Sequence, residues 1–89
     1  MKVIHKIKLN VNKNYINMPV GAEVLSVGAQ HGLVILWYMF EYGETRTTTR
    51  LFHIKMTGIC FDEKCTDIFL GTVLVVNGSF VAHVFEEIS

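Results

Sequence analysis

Apolar residues along this chain recur at the spacing of strands, first on one face only and later on both. In "KVIHKIKL", residues 2–9, Val3, His5, Ile7 and Leu9 point one way and Lys2, Ile4, Lys6 and Lys8 the other. That period of two predicts a half-exposed first strand. "NVNKN" reads as its turn, followed by a short extended piece, Tyr15 to Met18, that ends at "PVG". Ala22 to Ala29 predicts a further strand, and His31-Gly32 a tight turn into Leu33 to Phe40, eight large apolar side chains in succession. Helix competes for this run. Its β-branched and aromatic content, its length and its flanking Gly32 and Gly43 favour a strand buried on both faces.

"RTTTRLFHIKM", residues 46–56, divides into Arg46, Thr48, Arg50, Phe52 and Ile54 on one face and Thr47, Thr49, Leu51, His53 and Lys55 on the other, and only its second half has the composition of a buried strand. After a loop from about Thr57 to Thr66 come two β runs around Asn77-Gly78, a strong hairpin signal. A two-residue type I′ turn there sets Val76 opposite Ser79, Leu74 opposite Val81, Thr72 opposite His83 and Leu70 opposite Phe85. Both faces of this hairpin are apolar. The pattern therefore predicts an all-β chain, one domain over residues 1–89: a small antiparallel sandwich or barrel-like sheet of about six to seven strands.

Composition adds an oligomer to this picture. Hydrophobic residues make up 51% of the chain and charged ones 18%, against a quarter or so charged in ordinary soluble domains. A domain of 89 residues hides only roughly 60 to 65% of its unfolded surface, so a monomer would leave a contiguous apolar patch wet. A homo-oligomer, dimer or tetramer, is the expectation, with a two-fold arrangement the commonest way to pair.

Net charge is zero, which removes the general field that draws in duplex nucleic acid or an anionic membrane. Val24 to Phe40 and Ile68 to Phe85 carry no Lys, Arg, Asp or Glu, and the second is long enough to raise the question of a membrane helix. Asn77-Gly78 and Gln30-His31-Gly32 split both into strand-length pieces. The amino-terminal stretch lacks the apolar core and small-residue cleavage site of a signal peptide, so a cytoplasmic protein is expected.

Candidate chemistry is sparse. Cys60 and Cys65 in "CFDEKC" have four residues between them, not the tighter pair of a zinc knuckle, whose other two ligands would have to be His53 and His83 from separate strands. Two reduced thiols in a loop are expected, and no metal. His5, His31, His53 and His83 share no spacing; His83 stands out because the hairpin register sets it beside Thr72, a polar pair on an apolar face that has to be satisfied by itself or by a ligand. The carboxylates Glu23, Glu41, Glu44, Asp62, Glu63, Asp67, Glu86 and Glu87 fall mostly at turns and strand ends, and no phosphate loop, nucleophile elbow or metal helix is present. An enzyme is not expected, and no catalytic residue or cofactor is assigned.

Binding is better provided for. Arg46 and Arg50 share a strand face with Thr48 between them, and the planar guanidinium fork suits phosphate; the alternative is a solvated edge strand. Trp37 and Tyr42 offer flat faces for a nucleobase, although core packing is the first expectation for Trp37. Thr57-Gly58 opens the loop after the Arg-bearing strand, where glycine lets backbone N–H groups approach an anion.

"MPVGAEVLSVGAQHGLVILW", the "TG" that follows the Arg-bearing strand, "LGTV" and the terminal "AHVFE" together resemble a widespread set of small phage-encoded β proteins. Those carry a proline-glycine-alanine opening, a Gln-x-Gly turn into Leu-Trp, a Gly-Thr-Gly loop and a closing His-Val-Phe-Glu. Here the matching residues are Pro19, Gly21 and Ala22; Gln30, Gly32, Leu36 and Trp37; Thr57 and Gly58; Gly71 and Thr72; and His83, Val84, Phe85 and Glu86. The likeness spans about Met18 to Glu86. Proteins of this kind include the phage anti-CBASS sponges, small oligomers that sequester cyclic dinucleotides such as cyclic GMP-AMP.

The resemblance implies a non-enzymatic immune-evasion protein of the host cytoplasm; taken with the residue types above, it makes Trp37, Arg46, Arg50, Thr57, Gly58, Thr72 and His83 the expected ligand-binding residues. It departs from the pattern at Met56, which occupies the first position of the Gly-Thr-Gly loop and could narrow the approach of a phosphate. A different class of function remains open: a protein-binding module that blocks a host protein or acts in virion assembly through an exposed apolar sheet face.

Overall fold

The computed structural model describes residues 1–62 and 67–88 of the chain. Among them the structure is all strand: β1 (Lys2–Leu9), β2 (Asn12–Pro19), β3 (Glu23–Gln30), β4 (Leu33–Glu41), β5 (Thr47–Met56), β6 (Asp67–Val75) and β7 (Phe80–Glu87). Every pairing is antiparallel. A three-stranded sheet has the order β1-β4-β3 and a four-stranded sheet the order β2-β5-β7-β6. They meet chiefly along β3 and β6, giving a flattened body of 41 × 30 × 15 Å. No helix among the described residues is long and apolar enough to cross a membrane.

The pleat sorts the side chains. Leu9 from β1, Ile16 and Met18 from β2, Val34 and Leu36 from β4, Phe52 and Ile54 from β5, Val73 and Val75 from β6, and Ala82 and Val84 from β7 form one buried cluster between the sheets. Met18, Leu36, Phe52 and Val84 are completely enclosed. The alternation read in "KVIHKIKL" is kept, with Ile7 and Leu9 facing the cluster and the lysines facing solvent.

Two turns behave as the sequence requires. His31 and Gly32, at φ +53° and +74°, link Gln30 to its cross-strand partner Leu33. Asn77 and Gly78, at φ +54° and +83°, link β6 to β7, with Ser79 N–H donating to the Val76 carbonyl at 3.0 Å. Positive φ at both central residues is the mark of the type I′ hairpin. Val76 also takes φ +52°, an uncommon conformation for a β-branched residue.

Four expectations are corrected. "NVNKN" is not a turn: β2 starts at Asn12 and pairs along its whole length with β5. The turn is the shorter Asn10-Val11, and a buried Asn14 holds it, accepting from Asn10 N–H at 2.8 Å and donating to the Asn10 carbonyl at 2.9 Å. β5 is not an edge strand, because it lies between β2 and β7. Leu70 is not opposite Phe85: a bulge between Phe69 and Gly71 shifts the register so that Phe69 takes that place, while Leu74 opposite Val81 and Thr72 opposite His83 hold. Lastly, Leu33–Phe40 is buried on both faces only at Val34, Ile35 and Leu36, and Trp37 sits half-buried outside the core, its ring across Gly28.

Candidate functional site

The outer face of the four-stranded sheet brings four of the seven proposed binding residues together. His83 on β7 is flanked by Thr72 on β6 and by Lys55 on β5 in cross-strand register. Thr72 Oγ1 lies 3.0 Å from His83 Nδ1, and Thr57 Oγ1 lies 2.7 Å from Nε2. A neutral imidazole has one donor and one acceptor nitrogen, so one hydroxyl donates to the ring and the other accepts from it. Thr57 reaches this position because its backbone N–H donates to the Val81 carbonyl at 3.3 Å, which folds the end of β5 over β7. Gly58 follows at φ +86°, a left-handed conformation that glycine adopts without strain.

Aromatic side chains border this polar row. Phe69 and Phe85, opposite one another on β6 and β7, have ring centroids 5.3 Å apart, and Phe61 lies 6.3 Å from Phe85. The Lys55 ammonium stands 4.1 Å above the Phe61 ring, a cation–π contact. Phe61 and Phe69 are each more than half exposed. The surface therefore combines an ammonium, two hydroxyls, an imidazole and a glycine backbone beside exposed ring faces. Those are the groups that hold an anion and stack a flat heterocycle. Met56 does not obstruct it: it pairs with Ala82 and packs against the core, on the opposite side of the sheet from Lys55 and Thr57.

The other three proposed residues lie elsewhere. Arg50 turns inward, where Nε donates to Glu86 Oε2 at 2.6 Å, Nη2 to Glu86 Oε1 at 2.8 Å and Nη1 to the Ala22 carbonyl at 2.6 Å. This bidentate pair, with Glu86 almost fully buried, ties β5 and β7 to the start of β3. Arg46, on the surface, donates to Glu44 Oε1 through Nε at 2.9 Å and Nη2 at 2.7 Å. Those hydrogen bonds lower the Glu44 pKa and raise that of Arg46. Trp37 is on the three-stranded sheet, directly opposite Lys6 on β1.

Reading the sequence missed Lys55, Phe61, Phe69 and Phe85 as neighbours of His83. The hairpin register alone could have supplied Phe85, two residues from His83 on the same face. Lys55 and Phe61 needed the β5–β7 pairing, for which no turn gives a signal. Cys60 is an exposed free thiol. Cys65 and Glu63 lie outside the described residues.

A second opening lies between the sheets at the Leu9 end of β1, an apolar mouth of about 480 Å³ whose walls include Leu9, Val34, Ile54, Val75 and Phe80. It carries few polar groups to orient a ligand, whereas specific small-molecule sites combine apolar walls with a small number of convergent polar atoms.

The chain belongs to a family described as a domain of unknown function (DUF7352), which matches it over residues 1–89. No curated protein and no solved structure matches it.

Proposed function

We propose that this protein is a non-enzymatic phage immune-evasion protein that binds and sequesters cyclic dinucleotide signals, such as cyclic GMP-AMP, and so blocks CBASS defence in the host cytoplasm. The observation that carries the reading is the row Lys55, His83, Thr72 with Thr57 and Gly58, bordered by Phe61, Phe85 and Phe69. Phosphate would be met by the ammonium, the hydroxyls and the backbone at Gly58, and a base by the exposed rings. No catalytic group is required. Sequestration needs slow release, and enclosure between copies supplies it.

The copies would meet through the apolar residues on the outer face of β6 and at its hairpin, of which Phe69, Leu74 and Val76 are all at least half exposed. Large apolar side chains exposed side by side on one sheet face mark an interface. The same residues support a second reading, a module that docks on a host or virion protein through this apolar face.

Mixing the purified protein with a panel of cyclic dinucleotides, then melting it and recovering the nucleotide, separates the readings. Intact ligand released on melting, carried by a dimer or tetramer in light scattering, is the expected result. A degraded nucleotide would mean an enzyme, and no uptake would leave the protein-binding module. Lys55→Ala is expected to weaken uptake by about tenfold or more, the loss of a charge-assisted hydrogen bond being about 1.5 to 3 kcal/mol, and His83→Ala is expected to weaken it by releasing the Thr57 and Thr72 hydroxyls that its ring holds in place.

A further inference from the structure

On the same outer face, beyond Phe85, three strands bring together side chains that the nucleotide reading does not use. His53 on β5 is opposite Phe85, and Asp67 on β6 is opposite Glu87 on β7. One ligand-competent atom from each of His53, Asp67 and Glu87 lies within 4.8 Å of the others. The His53 side chain is 9% exposed, and its Nε2 is fully enclosed with no hydrogen-bond partner; Asp67 Oδ1 is enclosed and unpartnered as well. Buried polar atoms are seldom left in this state unless an ion or another ligand completes them.

The His53–Glu87 separation suits a shared metal ion better than a hydrogen bond. His53 Nε2 is 3.7 Å from Glu87 Oε2, too long for a hydrogen bond. Two ligands about 2.1 Å from one tetrahedral ion are about 3.4 Å apart. Imidazole with two carboxylates is a donor set for zinc or another first-row divalent ion, and three protein ligands leave a coordination position open.

We propose that His53, Asp67 and Glu87 form a divalent metal site that cross-links β5, β6 and β7. The site is independent of nucleotide binding and is tested without nucleotide. Zinc added to the chelator-stripped full chain is expected to bind at one ion per chain in calorimetry and to raise the melting temperature, since an ion that binds only the folded state stabilises it. Asp67→Asn is expected to weaken binding by at least about tenfold, a direct ligand costing no less than an outer-shell partner. Imidazole NMR of the wild type gives a readout that does not depend on a variant folding: zinc is expected to shift His53 Nε2 ahead of His5, His31 and His83. Absence of binding, unchanged affinity in Asp67→Asn, or shifts confined to the other three histidines would each overturn the proposal.

Discussion

Arginine 50 has two physically reasonable fates on sequence grounds, to hold a ligand's phosphate or to lie solvated on an edge strand, and the fold gives it a third. Its guanidinium donates to Glu86 and to the Ala22 carbonyl. Glu86 reads as a strand-end carboxylate in the sequence because nothing local marks the core-facing phase of β7 there. Once β7 is paired with β5, Glu86 shares the inner face with Ala82 and Val84 and is 6% exposed. Removing one partner of such a pair strands the other charge and costs about 3 kcal/mol or more. Arg50→Ala is therefore expected to lower the melting temperature by more than about 10 °C while leaving nucleotide uptake per folded chain unchanged. Full stability with lost uptake would return Arg50 to the ligand.

At the scale of elements, local signals were legible and non-local pairings were not. Asn77-Gly78 and His31-Gly32 specify their own turns, so the Thr72–His83 pair was readable. The bulge at Gly71 was not, because its cause lies in the other sheet: a Cβ at Gly71 would stand 2.7 Å from Val27 Cγ2 on β3. Glycine with φ +157° lets β6 pass close to β3, which is where the sheets meet. Gly71→Ala is expected to destabilise the fold by about 1 to 3 kcal/mol, through overpacking against Val27 added to the backbone strain of a side chain at φ +157°. Adding Val27→Ala should recover part of that loss, so that a double-mutant cycle in denaturant reads coupling between the two positions. Strict additivity would mean that the close approach is not what requires glycine at position 71. The start of β2 was missed for a related reason. Three asparagines in "NVNKN" resemble turn chemistry, but Asn14 is buried and its amide closes the neighbouring turn rather than making one of its own.

For the whole molecule, the excess of apolar residues does not all go into the core. The sheets bury one cluster and leave Ile68, Phe69, Leu74, Val76 and Phe80 in solvent along one edge strand and its hairpin, which agrees with the apolar surplus read from composition. The polar row centred on His83 lies with Phe69 and Leu74 on the outer face of the four-stranded sheet, so on the proposed reading a ligand and a second copy would share that face. On the proposed reading, the outer face of the four-stranded sheet is the binding surface. A titration of the isotope-labelled protein with cyclic GMP-AMP, followed by amide NMR, reads that surface residue by residue. Saturable shifts centred on Lys55, Thr57, Gly58, Thr72 and His83 are predicted. Shifts confined to Trp37 and its neighbours on the other sheet, or a spectrum unchanged by excess nucleotide, would contradict it.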